Sequence, residues 1–170
     1  AILSLGDIVA SSSLRVAGDR LNTDIVNYIR KDFGLLIGEH TAERVKIEIG
    51  TAVPGHRNEE IQVRGRDVVN GLPKEIELTS DQVEGAIHDT LKSIVVAAKD
   101  LLGQIPPELA ADIIDHGIML TGGGALIDGL GQLFSNQLGV PVHVSETPLQ
   151  DVAKGTGFLL ENPEKITDLK

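Results

Sequence analysis

The chain has 170 residues, with 25 Asp plus Glu against 15 Lys plus Arg and a formal net charge of -10. Ten surplus negative charges repel phosphate backbones and anionic headgroups, which argues against nucleic acid and against simple electrostatic membrane binding. The absence of cysteine removes disulfide frameworks, thiolate zinc sites and cysteine nucleophiles and suits a reducing cytoplasm, and an aromatic share of 2% leaves Ile, Leu, Val and Ala to build the core, without platforms for stacked bases.

No apolar run approaches the roughly 20 residues that cross a bilayer. The opening Ala1 to Leu5 reads as the middle or end of a buried strand in a longer chain. It is expected to pair antiparallel with Ile8 to Val16 across a Gly6-Asp7 turn. From Leu21 the spacing Leu21, Ile25, Tyr28, Ile29 predicts a helix that stops at Phe33-Gly34, and a second, shorter helix fits Thr41 to Ile49. Pro54, Gly55, His56 and Asn58 mark a loop. Alternation at Ile61 and Val63, then at Ile76 and Leu78, predicts a ribbon turning at Asn70-Gly71.

Thr79 and Gln82 stand in capping-box register, and Val83, Ala86, Ile87, Leu91, Ile94, Ala98 and Leu101 follow as one face of a helix of about six turns. Pro106-Pro107 opens another helix, with Leu109, Ile113 and Ile114 inward. Ile118 to Leu120 is a short apolar strand, Gly122 to Gly124 a triple glycine, Ala125 to Leu138 a helix, and Val140 to Ser145 a strand. A last helix starts at Pro148, with Leu149, Val152 and Ala153 inward, and is interrupted at Gly155 and Gly157. The order is that of an α/β chain in which a mixed sheet flanked by helices, residues 1–17 and 81–170, forms a base, and residues 18–80 form a small α+β insertion.

Chemistry concentrates in three places. Gly122, Gly123, Gly124 and Ala125 join an apolar strand to a helix, where glycines let a backbone approach a ligand and free amides favour an anion or a polar nucleotide edge. The same glycines also suit a tight turn that binds nothing. The run fails the dinucleotide fingerprint at Ile127 and the P-loop at Leu130. In Thr41-Ala42-Glu43-Arg44-Val45-Lys46, Glu43 and Lys46 are three apart on one helix face, placed to share a ligand's hydroxyls or to form an exposed ion pair. Gly18 and Asp19 are either a helix cap or part of a ligand site. The five histidines show no metal-binding spacing, there is no Gly-x-Ser-x-Gly elbow, and no residue here is an activated nucleophile.

Taken in order, Gly18-Asp19-x-Leu21-Asn22, Gly38-Glu39-x-Thr41-Ala42-Glu43-x-x-Lys46-Ile47-Glu48-Ile49-Gly50, Arg64-Gly65-Arg66-Asp67 and Gly71-Leu72-Pro73 closely resemble the MreB/Mbl family of bacterial actins. So do Pro106-Pro107-Glu108-Leu109, the run Gly117 to Ala125, Pro148-Leu149 and Val152-Ala153-Lys154-Gly155. The resemblance covers essentially the whole chain and only the second half of the family's proteins. It implies an actin-like (ribonuclease H-like) ATPase half from a filament-forming protein that sets rod shape and organises wall synthesis at the inner face of the cytoplasmic membrane.

By the same resemblance, Ala42, Glu43 and Lys46 contact the nucleoside of ATP or ADP. Gly122, Gly123, Gly124 and Ala125 flank the adenosine, and Gly18 and Asp19 lie near the nucleotide. Implied partners are further copies of the protein, a transmembrane adaptor of the RodZ type and the wall-synthesis machinery, with no nucleic acid and no direct membrane contact from this stretch. The family's phosphate-binding hairpins and most of its Mg²⁺ site lie in its other half, so this chain is expected not to hydrolyse ATP by itself and to bind it weakly at best. Two rival readings are an actin-fold sugar or acid kinase lobe and an interaction domain that binds no nucleotide.

Overall fold

A computed structural model describes residues 1–163; the end of the expected base, residues 164–170, lies outside them. The chain opens with an antiparallel hairpin of β1 (Ile2–Ser4) and β2 (Asp7–Ala10). Its turn is centred on Leu5 and Gly6, with φ of 55° and 91°, one residue earlier than expected, because Ser4 pairs with Asp7 and a two-residue turn of this hand needs positive φ at both centres. The second strand ends at Ala10 rather than Val16, and its apolar side chains Ile8 and Val9 are exposed.

Helix α1 (Gly18–Phe33) buries Leu21, Ile25 and Ile29 and ends at Gly34 in the left-handed region. Helix α2 (Glu39–Ile49) buries Ala42, Val45 and Ile49 on one side. Between them lies β3 (Leu35–Leu36), a strand the sequence reading lacked. It pairs with β4 (Glu60–Asp67), which pairs in turn with β5 (Pro73–Thr79), giving a three-stranded antiparallel sheet in the order β3-β4-β5. At Gly65 a Cβ would stand 2.3 Å from the Leu36 carbonyl oxygen, so the close approach of β3 to β4 requires glycine there.

Helix α3 (Ser80–Leu102) starts at the expected capping box: the Thr79 hydroxyl accepts from the Gln82 amide and the Gln82 side chain accepts from the Thr79 amide. Helix α4 (Pro107–His116) leads into β6 (Ile118–Leu120), and β6 pairs in parallel with β7 (Val142–Val144). The pairs β1-β2 and β6-β7 thus form two separate two-stranded ladders within the α/β arrangement. The expected helix from Ala125 does not begin there. Gly123–Leu126 is a single 3-10 turn, Ile127, Asp128 and Gly129 intervene, and α5 runs from Leu130 to Leu138. The glycine at 129, with φ of 71°, resets the chain direction between the two pieces.

Helix α6 (Asp151–Glu161) passes through Gly155 and Gly157 without a break, since glycine costs an interior helix position only about 1 kcal/mol and the Thr156 hydroxyl still bonds back to Val152. Leu149 and Val152 are 71% and 75% exposed and Ile114 is 60% exposed, so these three do not face inward as their spacing suggested. No helix among the described residues is long and apolar enough to cross a membrane.

One contiguous cluster forms the core: Ile25 and Ile29 of α1, Val45 of α2, Val63 and Leu78 of the sheet, Val83, Ile87 and Leu91 of α3, and Leu130 and Phe134 of α5. Residues from 18–80 and from 81–163 therefore share one hydrophobic interior, with α3 running through it.

Candidate functional site

A cleft of about 820 Å³ opens over that core, a size within the range of small-molecule sites. Its floor is apolar, from Leu21, Leu91, Ile94, Leu130 and Phe134; one wall carries Gly18, Asp19, Glu43 and Lys46, and the other carries Thr121, Gly123, Gly124 and Ala125. Three clusters separated by up to a hundred positions in the chain are thus brought to one cavity. Gly122 is not among the residues that line the cleft, and Ala42, fully buried, packs α2 onto the core rather than facing the cleft.

On the first wall, α1 begins after Ala17, whose side chain forms no cap, so Asp19 lies in the first turn and is not the helix cap. Glu43 and Lys46 do share one face of α2, but they form no ion pair with each other. The Lys46 ammonium donates instead to Asn22 Oδ1 at 2.7 Å and to the Gly18 carbonyl at 3.3 Å. The Glu43 and Asp19 carboxylates have no hydrogen-bond partner among the described residues, and both stand exposed at the cleft. An ammonium has three donors, so Lys46 keeps one for a ligand, and Glu43 offers a free acceptor beside it.

On the second wall, Gly122 adopts φ of 83° and ψ of 171°, and its amide donates to the Pro148 carbonyl at 3.0 Å. Asp151 accepts from the Thr121 hydroxyl and, at 2.9 Å, from the Thr147 hydroxyl, which ties the ends of β6 and β7 together. Hydrogen bonds from Ser145 and Thr121, ahead of a smaller burial effect, hold the Asp151 carboxyl below the ordinary value of 3.8. The amides of Gly123 and Gly124 donate to no acceptor among the described residues, which leaves them for a polar group in the cleft.

The distance between the walls is set by residues that the sequence reading passed over. Thr51, fully buried just after α2, forms a parallel bridge with Asp128, just after the glycine turn. The Ala52 amide donates to the Asp128 carbonyl at 2.8 Å, and the Asp128 carboxylate takes the Thr51 hydroxyl at 2.9 Å and His56 Nδ1 at 2.8 Å. No local pattern signals a contact between positions 77 residues apart. Burial acts to raise the Asp128 carboxyl, but the His56 and Thr51 hydrogen bonds and the charges of His56 and Arg57 outweigh it and hold it below the ordinary 3.8.

A carboxyl depressed in the folded state adds stability above its unfolded value, and this is lost as pH falls through the lower folded value. Asp128→Ala is therefore expected to destabilise the chain at about pH 7 and to cost much less at about pH 3, as read from urea midpoints. An equal loss at both values would show that the carboxylate charge contributes nothing to the tie.

No group of three or more His, Asp or Glu side chains among the described residues is arranged to hold a metal ion.

A family model described as MreB/Mbl protein matches residues 1–168. The cell shape-determining protein Mbl of Bacillus subtilis is 51% identical over all of this chain and 51% of its own length, and the cell shape-determining protein MreB of Escherichia coli is 48% identical over 95% of this chain and 46% of its own. The chain spans about half the length of these relatives. The crystal structure of Spiroplasma citri MreB5 bound to AMPPNP superposes with a TM-score of 0.91 at 38% identity, covering 97% of this chain and 50% of that one. Its ADP-bound form gives a TM-score of 0.90 at 37% identity, covering 95% of this chain and 49% of that one. The match over the full chain, in sequence and in fold, places it in the MreB/Mbl family of actin-like proteins.

Proposed function

We propose that this chain is the nucleoside-holding lobe of a filament-forming, cell shape-determining protein, and that its cleft takes the sugar and base of ATP or ADP. The observation that carries the reading is the pairing of an unengaged Glu43 carboxylate with a Lys46 ammonium that retains a free donor, opposite two glycines with free amides. That set matches vicinal hydroxyls and a purine edge, which need donors and acceptors together. It does not match a polyphosphate: the charged groups lining the cleft are Asp19, Glu43 and Lys46, two negative against one positive. The phosphates are then held by residues outside this chain. The nucleotides named for the two Spiroplasma structures agree with this choice of ligand.

In the whole protein we place the lobe in filaments at the inner face of the cytoplasmic membrane, acting with an adaptor of the RodZ type on the machinery of wall synthesis. Calorimetric titration of the chain with ADP tests the nucleotide assignment. Saturable binding is expected, and Lys46→Ala should weaken it about ten-fold, equivalent to about 1.4 kcal/mol. Unchanged binding in that variant would remove Lys46 from the site, and no saturable binding by the unaltered chain would overturn the reading.

A further inference from the structure

Asn22 belongs to the Gly18-Asp19-x-Leu21-Asn22 motif, yet nothing so far gives it a task. It sits one turn after Gly18 on α1, only 3% exposed, and its Oδ1 accepts from Lys46 Nζ at 2.7 Å. The Gly18 carbonyl, four residues earlier and so on the same helix face, accepts from the same ammonium at 3.3 Å. We infer that Asn22 is a positioning residue for the nucleoside site: with the Gly18 carbonyl it fixes the Lys46 ammonium at the cleft wall before ligand arrives. The inference rests on the nucleotide reading above.

A lysine side chain is flexible, and ordering it at the moment of binding subtracts from affinity. Two acceptors on a neighbouring helix remove that cost in advance and leave the third N–H for the ligand. A neutral amide suits this task, because it orients the ammonium without placing a further negative charge in a cleft that already carries Asp19 and Glu43. The contact is reciprocal. A buried amide oxygen left without a donor is costly, and Lys46 supplies that donor.

A merely structural asparagine, tying α1 to α2, would look the same in a single variant, so the test is a double-mutant cycle read by ADP titration. Asn22→Leu, which removes the acceptor, is expected to weaken ADP binding about five-fold or more when Lys46 is present and less than about two-fold in a Lys46→Ala background. Asn22→Ser, too short to reach Nζ, should behave like Asn22→Leu and serves if the leucine variant does not fold.

Equal losses with and without Lys46, or no loss in Asn22→Leu and Asn22→Ser, would overturn the inference while leaving the nucleotide site standing. Failure of the unaltered chain to bind ADP would instead overturn the nucleotide reading on which it rests.

Discussion

Ile87→Ala is expected to lower the stability of the chain by about 2–5 kcal/mol, which at this size lowers the melting temperature by roughly 4–20 °C. Ile87 has no exposed surface and lies near the middle of α3, in the same cluster as Ile25, Val45, Val63 and Phe134. Truncation removes three carbons from a place bounded by helices on several sides. The surroundings cannot collapse into the gap without moving elements that also hold Lys46 or the β4-β5 ribbon, so the upper part of the range is favoured. Thermal unfolding followed by circular dichroism reads the effect. A loss below about 1 kcal/mol would mean that α3 is not the centre of the core.

Gly124→Leu is expected to abolish most nucleotide binding while leaving the fold intact: ADP affinity falls more than about 30-fold, about 2 kcal/mol, and the melting temperature moves by less than about 3 °C. The separation follows from the backbone. Gly122 has a positive φ, which favours glycine, whereas Gly124 does not, and a Cβ built at 124 meets no heavy atom within 4 Å. Neither conformation nor packing therefore explains glycine at 124. The empty space beside it belongs to the cleft, where a leucine side chain would displace ligand. A strongly destabilised variant would show that the glycine serves the turn. A stable variant with unchanged ADP affinity would show that the ligand does not approach this wall.

Much of the arrangement was legible wherever the determinant is local. The capping box at Thr79 and Gln82, the periodic face from Val83 to Leu101 and the Asn70-Gly71 turn each depend on neighbours within a few residues, and each is present. The Gly123–Leu126 turn was misread as the start of a long helix because Leu126, Ile127, Leu130 and Phe134 keep near-helical spacing across it; the Asp128-Gly129 break shows only when the chain is seen to bend toward Thr51. The strand at Leu35–Leu36 escaped notice since two residues carry no period, and its existence depends on the absent side chain at Gly65.

For the site, residue types and motif order singled out three clusters, and the structure gathers Gly18, Asp19, Glu43, Lys46, Gly123, Gly124 and Ala125 around one cleft. What spacing could not give was the partner of Lys46. A helical interval of three suggested Glu43, whereas the ammonium turns to Asn22 on a different helix, a choice made by tertiary packing.

The 23 residues of α3 span about 34 Å. Along that length α1, α2 and α5 all pack on the helix, and the one glycine in its buried stretch from Val83 to Val95, Gly85, faces open space. The helix acts as a beam common to both parts of the lobe. The β4-β5 ribbon and α5 contribute to the same close-packed cluster as this helix, and the Thr51-Asp128 bridge adds a second link to the glycine turn. In the filament proposed above, such a lobe would carry tension as a stiff lever, and bending would be displaced to its junctions with neighbouring bodies.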